Sequence, residues 1–229
     1  MILYELVGAD PSRPFSPHCW KARMALRHKG FEIETRPVPF TQVPLVENGF
    51  SKIVPVLRDG GTLVADSFAI AEHLEDAYPD RPTLFAGEGG RRLSRFVESW
   101  CQTALHPFIV STAVLDLHDG LDGTDQAYFR QSREARLGTT LEAVPVGREA
   151  RLPAFHAETL KPLNFLLGRS PFLGGESPLF ADYIVFGAFQ WARISSPFAI
   201  LPASAAVADW FERCLDLHGG DGRSVPAAA

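Results

Sequence analysis

The chain lacks most of what would cross-link, charge or anchor a protein from outside its core. Only three of its 229 residues are cysteine. That odd number, at wide spacing, matches neither a disulfide framework nor a zinc-ligand pattern. Positive charge is in deficit: 22 Lys and Arg face 27 Asp and Glu, a formal net charge of −5. With no basic run either, a nucleic-acid-binding surface is excluded. No apolar run is long enough to span a bilayer. The opening Met1-Ile2-Leu3-Tyr4-Glu5-Leu6 has no basic segment and no cleavage site, so it reads as a first strand rather than a signal peptide, and the cytoplasm is the expected compartment. What remains is ordinary for a globular protein, 46% hydrophobic and 21% charged, and long enough for one large domain or two modest ones.

The strand signals crowd into the first third. Ile2 to Leu6 is one. Phe31, Ile33 and Thr35 alternate with Glu32 and Glu34 as a second. Between them Ser16 suits a helix N-cap, Pro17 the first helical position and Gly30 the stop. Residues 37–51, with three prolines, read as irregular. Val54-Pro55-Val56-Leu57 and Thr62-Leu63-Val64-Ala65 flank Arg58-Asp59-Gly60-Gly61 as a hairpin. Asp66-Ser67 then caps a helix with the apolar stripe Ile70, Leu74, Ala77 and Tyr78. Residues 81–90, rich in proline and glycine, read as a linker between a domain over 1–80 and a second over 91–229. Beyond it strand signals stop. Helical patterns run from Arg91 to Leu117 (with a kink expected at Pro107), Gln126 to Leu137, Pro153 to Leu167, Ala181 to Arg193 and Ala205 to Leu217. The last eleven residues read as frayed.

The stretch FSPHCWKARMAL, residues 15–26, resembles a dithiol redox site whose first cysteine is a serine. As a plain N-cap, Ser16 satisfies one orphan amide. A hydroxyl can also donate while it accepts, and at a helix N-terminus a good recipient is an anion. If that anion is a ligand's thiolate, lowering a thiol pKa of about 8.5 by two units needs about 2.7 kcal/mol. A charge-assisted hydrogen bond gives roughly 1.5–3 kcal/mol and the helix terminus about 0.3–1 more, so no general base is required. Cys19 is the competing nucleophile; its alternative reading is core, since it shares a face with Ala22, Ala25 and Leu26. Asp66-Ser67 reads either as a second cap or as a receptor for an amino-acid zwitterion, carboxylate on Ser67 and ammonium on Asp66.

The order of strand, Ser16 helix, Val54-Pro55, hairpin, Asp66-Ser67, linker and helical domain resembles the cytosolic glutathione transferases over nearly the whole chain. The resemblance implies α/β plus all-α architecture: a thioredoxin-like first domain that binds glutathione and an all-helical second that supplies a hydrophobic pocket. It also implies a cis Val54-Pro55 bond that presents the Val54 backbone to glutathione, Asp66 and Ser67 on its γ-glutamyl end, Ser16 on its thiolate and Lys52 toward its glycyl carboxylate. A homodimer is the family precedent. Within the family, Ser16-Pro17 with Trp20 and KARMALRHKGFEIE is similar to bacterial glutathione-dependent β-aryl etherases and their fungal serine-type relatives. YPDRPTLF, LDLHD, YFRQSRE, VGREARLP and FLGGESPLFADY continue that likeness in order.

Three departures stand beside it. The etherases carry a longer C-terminal extension, which would serve the pocket as a lid. Leu179 replaces the Ser, Thr or Asn that usually caps the helix at Ala181-Asp182. Ser16-Pro17-His18 stands where zeta-type isomerases have Ser-Ser-Cys, which argues against that isomerisation. His18 reads either as a substrate contact or as a solvated helix-start residue. Trp100, His106, Phe108 and Tyr128 read either as pocket walls or as core. With no basic patch legible near the pocket, neutral aromatic substrates are expected over polyanions. Two function classes follow: a transferase joining glutathione to a small hydrophobic aromatic electrophile, with β-aryl ether cleavage as its finer reading, and a non-catalytic carrier of aromatic ligands.

Overall fold

The computed structural model describes residues 1–229. Its first domain is a four-stranded sheet with two helices against it. The elements are β1 (Ile2–Leu6), α1 (Pro17–His28), β2 (Glu34–Val38), β3 (Val56–Asp59), β4 (Thr62–Ala65) and α2 (Ser67–Ala77). The order across the sheet is β2-β1-β3-β4. β1 runs parallel to β2 and antiparallel to β3, and β3 pairs antiparallel with β4 through the Gly60-Gly61 turn. The β1-α1-β2 crossover followed by a hairpin is the thioredoxin-like arrangement.

The second strand starts three residues later than the alternation suggests. Phe31 is still tied to α1 through its amide on the Leu26 carbonyl at 3.1 Å, and its ring meets Tyr78 edge-on at 4.7 Å. Pro37 is tolerated because β2 is the sheet edge. The segment read as irregular contains short 3-10 turns over Phe40–Asn48, and the Asp125 carboxylate of the second domain accepts from the Phe40 and Thr41 amides at 2.6 and 2.9 Å.

The second domain is all-helical: α3 (Glu88–Trp100), α4 (His106–Asp119), α5 (Gly123–Leu137), α6 (Arg148–Ala154), α7 (Lys161–Leu167), α8 (Phe180–Ser195) and α9 (Ala206–Ser224). The kink expected at Pro107 appears as a π-helical turn, Cys101–Leu105, that absorbs the missing amide without breaking the helix. The helix read from Pro153 to Leu167 is two, separated by a second π turn at Phe155–Thr159. No helix is long and apolar enough to cross a membrane.

The domains share one core. Trp20 on α1 meets Phe186 on α8 edge-on at 6.0 Å. A Cβ at Gly187 would lie 2.4 Å from the Pro17 carbonyl oxygen, so only glycine lets α8 approach the start of α1 this closely. The C-terminal residues are packed rather than frayed. Asp221 binds Arg23 through two hydrogen bonds at 2.6 and 2.9 Å, the Gly222 carbonyl accepts from Gln190, and Val225 is buried.

α8 begins without a side-chain cap. Leu179 accepts nothing through its hydrocarbon side chain, while Asp182 reaches back to the Leu179 amide at 2.9 Å. Leu179→Asn is expected to stabilise the protein by about 0.5–2 kcal/mol, read as a higher midpoint of thermal unfolding. A lower midpoint would show that the tight packing of Leu179 on Gly174, where a Cβ would come within 2.7 Å of the leucine Cγ, outweighs a cap.

Candidate active site

Strand register gathers the sequence-predicted residues at one end of the sheet. Tyr4 pairs with Val56, and Val56 with Ala65. One step further along each strand therefore sets Pro55 beside Glu5 and Asp66 beside Pro55. Leu6, at the same end of β1, accepts from the Phe15 amide at 3.3 Å and so draws Ser16 to this edge. The Val54-Pro55 bond is cis. Lys52, two residues before Val54, is exposed.

Ser16 is the N-cap of α1 and 4% exposed. Its Oγ accepts from the Cys19 amide at a long 3.4 Å, and its own proton is donated to no protein atom. Pro17 has no N–H, and the His18 amide makes no backbone hydrogen bond. The helix thus begins with a hydroxyl and an amide both free to face an anion.

Asp66 caps α2, its Oδ1 accepting from the Phe68 and Ala69 amides at 2.9 and 3.0 Å, and it holds a positive φ of 78°. A non-glycine residue in that region costs of order 1–3 kcal/mol, a strain that clusters at ligand sites. Next to it, the Ser67 Oγ is fully buried with no hydrogen-bond partner. A buried hydroxyl left unpaired at a helix start fits a carboxylate ligand, while Asp66 itself takes the Phe68 and Ala69 amides.

Cys19 takes the core role. It is wholly buried, its sulfur accepts from the Leu6 amide at 3.4 Å, and burial pushes its thiol up to about 12. No thiolate forms there at neutral pH.

Ser16 also borders a cleft of about 670 Å³ between the domains. Val54, Asp66, Ser67 and Lys52 do not line it. Of the four residues considered as its walls, only His106 does, with Trp191 edge-on at 5.5 Å. Phe108 is instead stacked on Phe155 at 3.7 Å, and Tyr128 is 47% exposed. The walls that sequence reasoning missed include Phe40, Phe129, Arg133, Arg136 and Trp191. The two arginines stand three apart on α5, a same-face spacing visible in the sequence, but nothing local says what that face covers.

His18 lines the cleft as well, 5.6 Å from His106, with the buried Lys21 ammonium 3.3 Å from its Nδ1. Burial, reinforced by Lys21, pulls His18 down to about 3 and His106 to about 4, so both rings are neutral. Glu5, buried on β1, is pushed up to about 7 by burial despite Arg23 at 3.2 Å. These shifts oppose each other. His218 is likewise pulled down to about 4, by burial and then by His28. Between about pH 4.5 and 6 the unfolded chain protonates these three histidines, while the folded chain keeps one proton on Glu5 that the unfolded chain releases. The unfolded state binds two net protons more, so stability falls with falling pH by about 2.7 kcal/mol per unit. Urea unfolding is expected to show about 4 kcal/mol lost from pH 6 to 4.5; a flat profile there would mean the rings are not buried neutral.

A thioredoxin-like domain set against an all-helical domain across an aromatic cleft, with a hydroxyl at a helix start that donates to no protein atom, defines a two-domain fold with a candidate ligand site. The comparisons make that specific. A model described as glutathione S-transferase, N-terminal domain, matches residues 11–82, and one described as glutathione S-transferase, C-terminal domain, matches residues 93–201. The chain belongs to the glutathione S-transferase family. Glutathione transferase GSTFuA3 from Phanerochaete chrysosporium is 29% identical with a TM-score of 0.75, covering 98% of this chain and 93% of its own. CsGST63524 of Ceriporiopsis subvermispora, solved in complex with glutathione, shares the fold at 24% identity and a TM-score of 0.71, covering 98% and 94%. Among curated relatives, glutathione S-transferase U22 of Arabidopsis thaliana is 25% identical over 87% of this chain and 82% of its own length. Glutathione S-transferase Z2 of the same plant is 39% identical over 55% of this chain and 59% of its own.

Proposed function

We propose that this protein activates the glutathione thiol at Ser16 and directs it onto an aromatic electrophile in the interdomain cleft. The observation that carries the reading is the Ser16 hydroxyl, nearly buried, with its proton undonated, at the start of α1 and on the edge of the cleft. Ser67, Asp66 and the Val54 carbonyl side of the cis bond hold the peptide, with Lys52 toward its glycyl end. The thiol proton leaves to solvent, and the thiolate forms a carbon–sulfur bond as the leaving group departs with its electron pair. Positioning the two reactants accounts for several kcal/mol of the barrier. Domains are assigned as 1–80 and 91–229 about the 81–90 linker. A homodimer is the proposed assembly; exposed Leu93 and Phe96 on α3 and Leu45, Phe50 and Ile53 before β3 offer apolar surface for it.

The etherase chemistry is the finer part of the proposal. In an α-aryloxy ketone the carbon bearing the phenoxy group is activated by the adjacent carbonyl, so thiolate attack releases phenolate and leaves a glutathione thioether. Chromatography of a 2-aryloxyacetophenone incubated with and without glutathione is expected to show glutathione-dependent phenol. If only aryl halides are conjugated, the etherase part fails. If neither reacts while aromatic ligands bind tightly, the protein is a carrier.

A further inference from the structure

The cleft is electrostatically unlike the protein that contains it. The chain has 27 Asp and Glu and a net charge of −5, yet no carboxylate lines the cleft, while Arg133 and Arg136 do. Elsewhere on α5 the pattern is the usual one: Arg130 is paired with Glu134 at 2.9 Å and Glu142 at 2.8 Å. Arg133 has no carboxylate. Its guanidinium lies 4.6 Å over the Phe129 ring and 5.4 Å from that of Phe40, and its one hydrogen bond goes to Ser132 Oγ at 2.9 Å. Arg136 makes no ion pair and no side-chain hydrogen bond. The two cations therefore border one cavity one turn apart without a carboxylate partner, Arg133 partly buried and Arg136 exposed. Burial, and then the charge of Arg136, pulls the Arg133 guanidinium below its ordinary value. The remaining titratable groups on the cleft wall, His18 and His106 from α1 and α4, are neutral and offset none of this charge.

We infer that Arg133 and Arg136 receive an anionic group on the aromatic co-substrate, a carboxylate, sulfonate or phenolate, while its ring lies against the cleft's apolar walls with the reacting carbon toward Ser16. The inference rests on the proposed transferase reading for its reaction but not for its binding. It departs from the expectation of neutral substrates, whose premise of no basic groups near the pocket does not hold: Arg133 and Arg136 reach the cleft where α5 packs over Phe40. The stacked, planar Arg133 is already ordered, so its fork meets an oxyanion with little further loss of side-chain freedom.

The test uses two fluorescent probes of the same shape, 8-anilinonaphthalene-1-sulfonate and uncharged N-phenyl-1-naphthylamine, titrated against the full chain. The sulfonate is expected to bind at least ten-fold more tightly at low salt. That margin is expected to collapse in the R133Q/R136Q double variant and at high salt, and to survive in R133K/R136K, with the neutral probe's Kd within two-fold throughout as the check on folding. No margin in the parent protein, or a margin retained in R133Q/R136Q, overturns the inference. So does a loss of glutathione affinity in R133Q/R136Q as large as the loss of sulfonate affinity, which would assign the arginines to the tripeptide. A parent protein that keeps the margin but binds no glutathione supports the anion site and overturns the transferase reading alone.

Discussion

Ser16→Ala is expected to raise the pKa of the bound glutathione thiol by at least one unit, about 1.4 kcal/mol of lost preference for the thiolate. Turnover at pH 7 should fall about three-fold for a one-unit rise from about 6.5, and more for a larger rise, because the thiolate drops from about three quarters of the bound thiol to about one quarter. Glutathione affinity should stay within a few-fold, since Asp66, Ser67 and the Val54 backbone hold the rest of the peptide. The loss of the cap is a smaller effect: the hydrogen bond from the Cys19 amide is long, at 3.4 Å, and α1 remains pinned by its packing on α8. Thiolate absorbance against pH reads the first effect directly. An unchanged titration removes Ser16 from the mechanism, whatever happens to the rate.

Asp182→Ala is expected to cost about 3–5 kcal/mol of stability, the scale for uncompensating a buried charged network. Asp182 is fully buried and accepts four hydrogen bonds: from the Leu173 amide at 2.7 Å, and from the Gly174 amide, the Leu179 amide and Trp210 Nε1, each at 2.9 Å. One carboxylate thus ties the start of α8, the turn before it and the side of α9. Alanine leaves four donors without an acceptor, each costing about 1–3 kcal/mol if it stays dry. Asp182→Asn should do little better, because its NH2 would face two of those donors. Denaturant unfolding measures both variants. A loss below about 1 kcal/mol would mean that water reaches the donors and the network is not dry.

Ser16-Pro17 with Gly30, the Asp59-Gly60-Gly61 hairpin and the Asp66-Ser67 start were legible because caps and turns depend on residues within a few positions of each other. The loss of strand signals in the second part of the chain was legible for the same reason, although α3 starts at Glu88, inside the stretch read as linker. Boundaries drifted where a distant contact competed with the local pattern. Phe31 alternates like a strand residue but stays with α1 because Tyr78 packs on its ring. The last eleven residues read as loose, yet Arg23, Gln190 and Arg193 from α1 and α8 hold them in place.

The site divides along the same line. Neighbours along the chain set the local chemistry: a serine rather than a cysteine at the helix start, an Asp-Ser pair opening the next helix, and a proline positioned between them. Only the tertiary structure decided what these residues can do. Sheet register set Val54, Asp66 and Ser16 at one edge. Burial turned Cys19 into core and His18 into a neutral ring, and left the Ser67 hydroxyl without a partner. Packing of α5 over Phe40 put two unpaired arginines into the cleft of an acidic protein. Backbone caps follow from neighbours in the chain, whereas desolvation and charge depend on neighbours in space, which the chain specifies only by folding.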